Sequence, residues 1–214
     1  MTTYTTVATP VGDARLWVDD AERPWARCVL GHGAGGGPDA RDLSALARRL
    51  PSAGVSVIRV EQPWRLAGRK VAPRPPVLDE AWVAALEEIP GDVPLVVGGR
   101  SAGARVACRT GAATGAVGVV ALSFPLHPPG KPERSRQDEL LGAAAVLPCL
   151  VVQGERDTFG RPEEFPAGGY ELVRVPGADH GMKVGKGHDH QEAMTTVVDA
   201  VETFLSGVIT RAAG

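Results

Sequence analysis

Apolar positions along this chain come in short unbroken runs, separated by stretches in which they recur with helical spacing. Runs at 14–18, 26–30, 55–60, 95–98, 117–122, 149–153 and 171–175 read as strands, the later ones almost continuous Val, Leu and Ile. Unbroken apolarity of that kind fits strands covered on both faces by helices. Between the strands, Leu43, Leu46, Ala47 and Leu50 form one stripe that begins after Pro38 and stops before Gly54. Leu78, Trp82, Ala85 and Leu86 form a second over 78–89, and 101–113 is a small-residue helix of Ala, Val and Cys. Met194, Val197, Val198, Val201, Phe204 and Leu205 mark a last helix, with Asp189 and Glu192 spaced as its capping box. These stripes are core faces. The alternation predicts an α/β fold in three layers, a mostly parallel twisted sheet with helices on both sides. The Pro/Gly-rich stretches at 73–76 and 125–132 are too short for linkers, so the 214 residues read as one domain over 1–214.

Composition narrows the partners. Hydrophobic residues make up 43% and charged residues 22%, with a net charge of −2, so nothing points to a polyanion and no nucleic-acid partner is assigned. The first ten residues lack a basic region and an apolar core, which predicts no signal peptide, and no apolar run approaches membrane-spanning length. Cys28, Cys108 and Cys149 lie in apolar settings. An odd count there predicts buried free thiols and a reducing, cytoplasmic location.

The chemistry concentrates at 95–107. A short apolar run is followed by Gly99-Arg-Ser101-Ala-Gly103 and then by the small-residue helix. This G-x-S-x-G between strand and helix is a nucleophile elbow, in which flanking glycines permit a bend sharp enough to lift a serine hydroxyl clear of the backbone. Such a serine needs a base, and the base needs an orienting acid; in chain order the acid precedes the histidine. The strand at 149–153 is followed by Asp157, and the strand at 171–175 by His180. In a parallel sheet these positions and Ser101 share one edge. Glu155 and Asp179 are rival acids; Asp157 ranks first because it stands farther beyond its strand. His188-Asp-His190 has no cysteine or clear carboxylate partner at ligand spacing, so no metal is assigned.

The loop after the strand at 26–30, Gly31-His-Gly-Ala-Gly-Gly-Gly37, admits two readings. Gly31, Gly33 and Gly36 fit the dinucleotide fingerprint, with Glu61 standing 25 residues past Gly36 for a ribose. Alternatively the loop supplies an oxyanion-hole N–H from Ala34, or from Gly33, beside that of Ala102, and His32 is structural. The second reading is preferred because a dinucleotide site leaves Ser101, Asp157 and His180 unexplained.

Together these residues resemble the α/β-hydrolase superfamily in its compact, dienelactone-hydrolase-like branch. More narrowly, the chain is similar to a small group containing testis-expressed hydrolase-like proteins and the hydrolase-like region of a non-specific-lethal chromatin-complex subunit. The resemblance rests on His32-Gly-Ala-Gly-Gly-Gly37, Gly98-Gly-Arg-Ser-Ala-Gly103, the loop from Phe124 to the Gly-Lys-Pro-Glu-Arg134 ending, Gln153-Gly-Glu-Arg-Asp157 and Ala178-Asp-His180. It implies a three-layer α/β-hydrolase fold, Ser101 as nucleophile, Asp157 as acid, His180 as base, and neither metal nor organic cofactor. Ala102 and Ala104 depart from relatives that place Met and Gly there. Only about a dozen residues separate Leu122 from a helix after Arg134, so no lid domain is expected. The serine chemistry predicts a small-molecule ester or thioester as substrate, and that openness favours small or extended acyl groups over long buried lipid chains. His127, Lys131 and Arg134, with Arg69, Lys70 and Arg74 in an earlier loop, are candidates for binding an anionic group on it. A homodimer is compatible with this reading. A non-catalytic scaffold of the same fold and a dinucleotide-binding protein stay open as alternatives.

Overall fold

The computed structural model describes residues 2–212. The strands are β1 (Thr3–Thr9), β2 (Gly12–Asp19), β3 (Ala26–Gly31), β4 (Val55–Glu61), β5 (Leu95–Arg100), β6 (Gly118–Leu122), β7 (Cys149–Gly154) and β8 (Tyr170–Val175). The helices are α1 (Arg41–Arg49), α2 (Pro63–Leu66), α3 (Pro75–Glu87), α4 (Ala102–Thr110), α5 (Gln137–Ala144) and α6 (His190–Ala212). The strands form one sheet in the order β1-β2-β4-β3-β5-β6-β7-β8. Pairings β1–β2 and β2–β4 are antiparallel, and every pairing from β4 across to β8 is parallel.

Strand alternation divides the core into two halves. In β3, Cys28 and Leu30 face one side while Val29 faces the other. The first side is covered by α1 and α6 through Leu43, Leu46, Val197, Val201, Phe204 and Leu205. The second is covered by α3, α4 and α5 through Leu78, Trp82, Ala104, Ala107, Leu140 and Ala143. Helices thus cover both faces, as the unbroken apolar runs require. α4 needs its small residues because it packs directly over β5, β6 and β3.

Several boundaries differ from the sequence expectation. β1 carried no signal because six of its seven residues avoid the core and only Val7 is buried. The strand is held by its hairpin register with β2, from Thr3 opposite Val18 to Thr9 opposite Gly12. α6 is, by length and composition, apolar enough to span a membrane, unlike any run foreseen from the sequence. Its apolar stripe is spent on the sheet instead. Asp189 caps α6 by accepting the N–H groups of Gln191 and Glu192 at 2.6 and 3.0 Å. Residues 123–136, between β6 and α5, form a loop folded on itself by an Arg136 N–H bond to Leu126 at 2.7 Å, with no inserted domain. Cys28, Cys108 and Cys149 are free and buried, and burial pushes the Cys28 thiol up to about 12.

Trp82 is fully buried and rests its six-membered ring on Gly31, where β3 runs into the glycine loop. Trp82→Ala is expected to destabilise the protein by about 3–5 kcal/mol, read as the loss of unfolding free energy in urea.

Candidate active site

The carboxyl ends of β3, β5, β7 and β8 lie on one edge of the sheet, and the chain leaves each strand there into a loop that carries a polar group. The turn from β5 into α4 is the tightest. Ser101 stands at φ 53°, ψ −113°, a region L-residues seldom occupy, between Gly99 at φ 154° and α4. A Cβ on Gly99 or on Gly103 would overlap the backbone of Gly31. The two glycines therefore let the elbow close against the end of β3, which brings the glycine loop beside the serine. A Cβ on Gly33 would stand 3.2 Å from that of Ser101.

His180, five residues past the end of β8, reaches both Ser101 and Asp157. Its Nε2 accepts the Ser101 hydroxyl at 3.0 Å and its Nδ1–H donates to Asp157 Oδ2 at 2.8 Å. This pairing sets the tautomer, because a carboxylate can only accept. Phe159 stacks on the imidazole with ring centres 4.2 Å apart. Asp157 is fully buried, and the Phe159 N–H donates to its other oxygen at 2.8 Å. The rival acids are engaged elsewhere. Glu155 accepts the Gly177 N–H, and Asp179 accepts the N–H groups of Gly181 and Lys183 within its own turn.

Three supporting residues escaped the sequence reading. Gln153, at the end of β7 and fully buried, donates its amide to Asp157 Oδ2 at 2.9 Å and to the Gly160 carbonyl at 2.7 Å. Its signal was available: a polar side chain closing an otherwise apolar run. Arg100, directly before Ser101, donates Nε to Asp42 Oδ2 at 3.0 Å and a terminal nitrogen to the His180 carbonyl. Asp42 is buried in the first turn of α1. Arg100 thereby links the elbow, α1 and the loop that carries His180.

The glycine loop is fixed by His32. Its Nδ1–H donates to the Gly33 carbonyl at 2.8 Å and its Nε2 accepts the Gln62 N–H at 3.1 Å, so the ring is neutral. Burial also lowers its pKa from the ordinary 6.5. Among the described residues no intramolecular acceptor takes the N–H of Ala34 or of Ala102, and both residues line one gap of about 10 Å³ walled by Trp64, Trp82 and Val106. Ala102 opens α4, so its N–H is one that the helix leaves free. The dinucleotide reading loses its parts in this geometry. Gly31 packs on the elbow, α1 begins only at Arg41, and Glu61 is occupied by the Trp17 indole at 3.1 Å.

The loop after β6 is a correction for His127. It is buried, its Nδ1–H donates to the Pro128 carbonyl at 3.0 Å, and Nε2 meets Glu164 at 2.8 Å, leaving no free edge for a substrate. Lys131 and Arg134 are exposed on that loop, and neither lines the cavity walled by His180. Among the described residues no three His, Cys, Asp or Glu side chains gather as a metal-ligating group.

The family described as alpha/beta hydrolase domain matches residues 24–206. Among solved structures, the chain is similar to an α/β serine hydrolase without a lid from Xanthomonas campestris, at 19% identity over 95% of this chain and 94% of that one, with a TM-score of 0.72. It is also similar to a dienelactone hydrolase from Anabaena variabilis, at 16% identity over 97% of each chain and a TM-score of 0.72. A third is Est1E from Butyrivibrio proteoclasticus, at 14% identity over 95% and 99%, with a TM-score of 0.70. At these identities the likeness is one of fold.

Two outcomes follow for the residues around the site. Arg100→Met leaves Asp42 as a buried, uncompensated charge and is expected to cost about 3–5 kcal/mol, part of which Arg100→Met with Asp42→Leu recovers in a double-mutant cycle. The Pro128 carbonyl and Glu164 raise the His127 pKa above 6.5, and the Arg161 N–H and His127 lower that of Glu164 below 4.5. The His127 contribution is complete below pH 6.5 and fades as pH rises through its raised native value; that of Glu164 is complete above pH 4.5 and fades as pH falls. The melting-temperature gap between wild type and His127→Gln is therefore expected to be widest between these two pH values and to narrow on both sides.

Proposed function

This chain belongs to the alpha/beta hydrolase domain family, and on that premise we propose that it is a serine hydrolase acting on a small ester or thioester. The observation that carries this reading is the unbroken hydrogen-bonded chain from Ser101 through His180 to Asp157. In the proposed cycle Ser101 Oγ attacks the acyl carbon while His180 Nε2 takes its proton, and the imidazolium is stabilised by Asp157. The N–H groups of Ala34 and Ala102 receive the oxyanion, with that of Gly33 as the alternative to Ala34. Collapse of the tetrahedral species breaks the bond to the leaving oxygen or sulfur, which departs with the proton from His180. Water then enters by the same steps in reverse and releases the acid.

Two features support a short acyl group. The gap beside Ala34 and Ala102 holds about one water and is walled by Trp64, Leu78, Trp82 and Val106. The loop at 123–136 adds no cover under which a long chain would lie. His32 and Gln153 are positioning residues in this scheme: His32 fixes the glycine loop, and Gln153 holds the Asp157 carboxylate toward His180.

A fluorophosphonate is expected to add once to the wild-type protein by intact mass and not at all to Ser101→Ala. With a turned-over ester, Asp157→Asn is expected to lower kcat roughly 10⁴-fold. Wild-type protein that takes up no fluorophosphonate, or Asp157→Asn with full turnover, would overturn the assignment.

A further inference from the structure

An open cavity of about 510 Å³ lies against His180, its wall includes Arg41, Arg156 and Lys183, and it shares no lining residue with the gap beside Ala34 and Ala102. Among the described residues none of these three cations is ion-paired, whereas Arg59, Arg100, Arg105 and Arg109 all hold carboxylates. Asp179 also lines the cavity, but one of its oxygens already accepts two N–H groups of its own turn. Three cations thus face one partly satisfied carboxylate.

Their positions are set by the same framework that sets His180. Arg41 opens α1 beside Asp42, which Arg100 joins to the His180 carbonyl. Arg156 directly precedes Asp157 and donates to the Gly177 carbonyl at 3.4 Å. Lys183 sits in the turn that Asp179 closes after His180. The backbone positions of all three cations are therefore tied to the framework that holds the imidazole, and their side chains are exposed to the cavity.

Proton transfer says which part of a substrate meets this cavity. His180 Nε2 must hand its proton to the leaving oxygen or sulfur, so the leaving alcohol or thiol lies on the His180 side, while the carbonyl oxygen lies toward the Ala34 and Ala102 N–H groups. Resting on the hydrolase reading above, we propose that the cavity walled by Arg41, Arg156 and Lys183 is the leaving-group subsite, and that it selects esters or thioesters whose alcohol or thiol half bears a carboxylate or phosphate. The cations contribute attraction and directed N–H donors to that anion, and Thr158 lies in the same wall. The bond changes are those of the cycle above, and the anion takes no part in them. This places the cation subsite at Arg41, Arg156 and Lys183 beside His180 instead of at Lys131 and Arg134.

The test uses two matched substrate pairs with one acyl group. The first pair is 4-nitrophenyl acetate and its 3-carboxylate counterpart; the second is S-acetyl pantetheine and S-acetyl 4′-phosphopantetheine. In wild type the charged member of at least one pair is expected to have the larger kcat/KM by about tenfold, and the charged-to-neutral ratio is expected to fall by about that factor in Arg156→Glu with Lys183→Glu and less in the double Gln variant. The pair that responds tells carboxylate from phosphate. Equal ratios in wild type, or a ratio that survives charge reversal in variants with unchanged circular dichroism, would overturn the subsite. If neither pair is turned over, protection of Ser101 from fluorophosphonate by the charged leaving group and not by its neutral counterpart supports the proposal, and equal protection or none overturns it. Absence of any Ser101 labelling instead removes the hydrolase reading, and the subsite with it.

Discussion

The close approach of three glycine backbones holds this site together. Gly31 ends β3, Gly99 is the penultimate residue of β5, Gly103 lies in the first turn of α4, and a side chain on either of the last two would overlap Gly31. Contact at this distance lets the chain reverse between β5 and α4 within a few residues, and Ser101 takes its left-handed conformation at the apex. The same contact brings the glycine loop next to the serine.

Around that backbone junction, buried polar groups do the orienting. Gln153 and the Phe159 N–H hold Asp157 from two sides, and Asp157 in turn fixes His180. Arg100 reaches from the elbow to α1 and to the His180 carbonyl. Burial makes each of these bonds costly to leave unmade, so the loops they join have few alternative positions. The loop after β6 follows the same rule, since His127 is engaged with Glu164 and the Pro128 carbonyl.

Two separate spaces lie near the site. One is a small apolar gap lined by Ala34 and Ala102; the other is an open, cation-lined cavity against His180. On the proposed hydrolase reading, the acyl half and the leaving half of a substrate would meet spaces of different size and charge. The backbone segments that hold Asp157 and His180 also carry Arg156 and Lys183, whose side chains are exposed.

Much of this was legible in the chain. Apolar runs with β-branched residues fixed the central strands, and helical stripes fixed which faces were buried, because both signals are local and periodic. Gly99-Arg-Ser-Ala-Gly103 announced its bend, since only glycine tolerates what that bend demands. β1 was invisible because its pairing partner, not its own pattern, makes it a strand. The roles of Asp42 and Arg100 were likewise hidden: residues 42, 100 and 180 are distant in sequence, and only sheet order and α1 packing bring them to bonding distance. His127 and Lys131 carried the same charge chemistry as Arg156 and Lys183 on paper. Only tertiary structure separates them, because Glu164 and the Pro128 carbonyl engage both ring nitrogens of the buried His127, whereas Arg156 beside Asp157 and Lys183 after His180 line an open cavity.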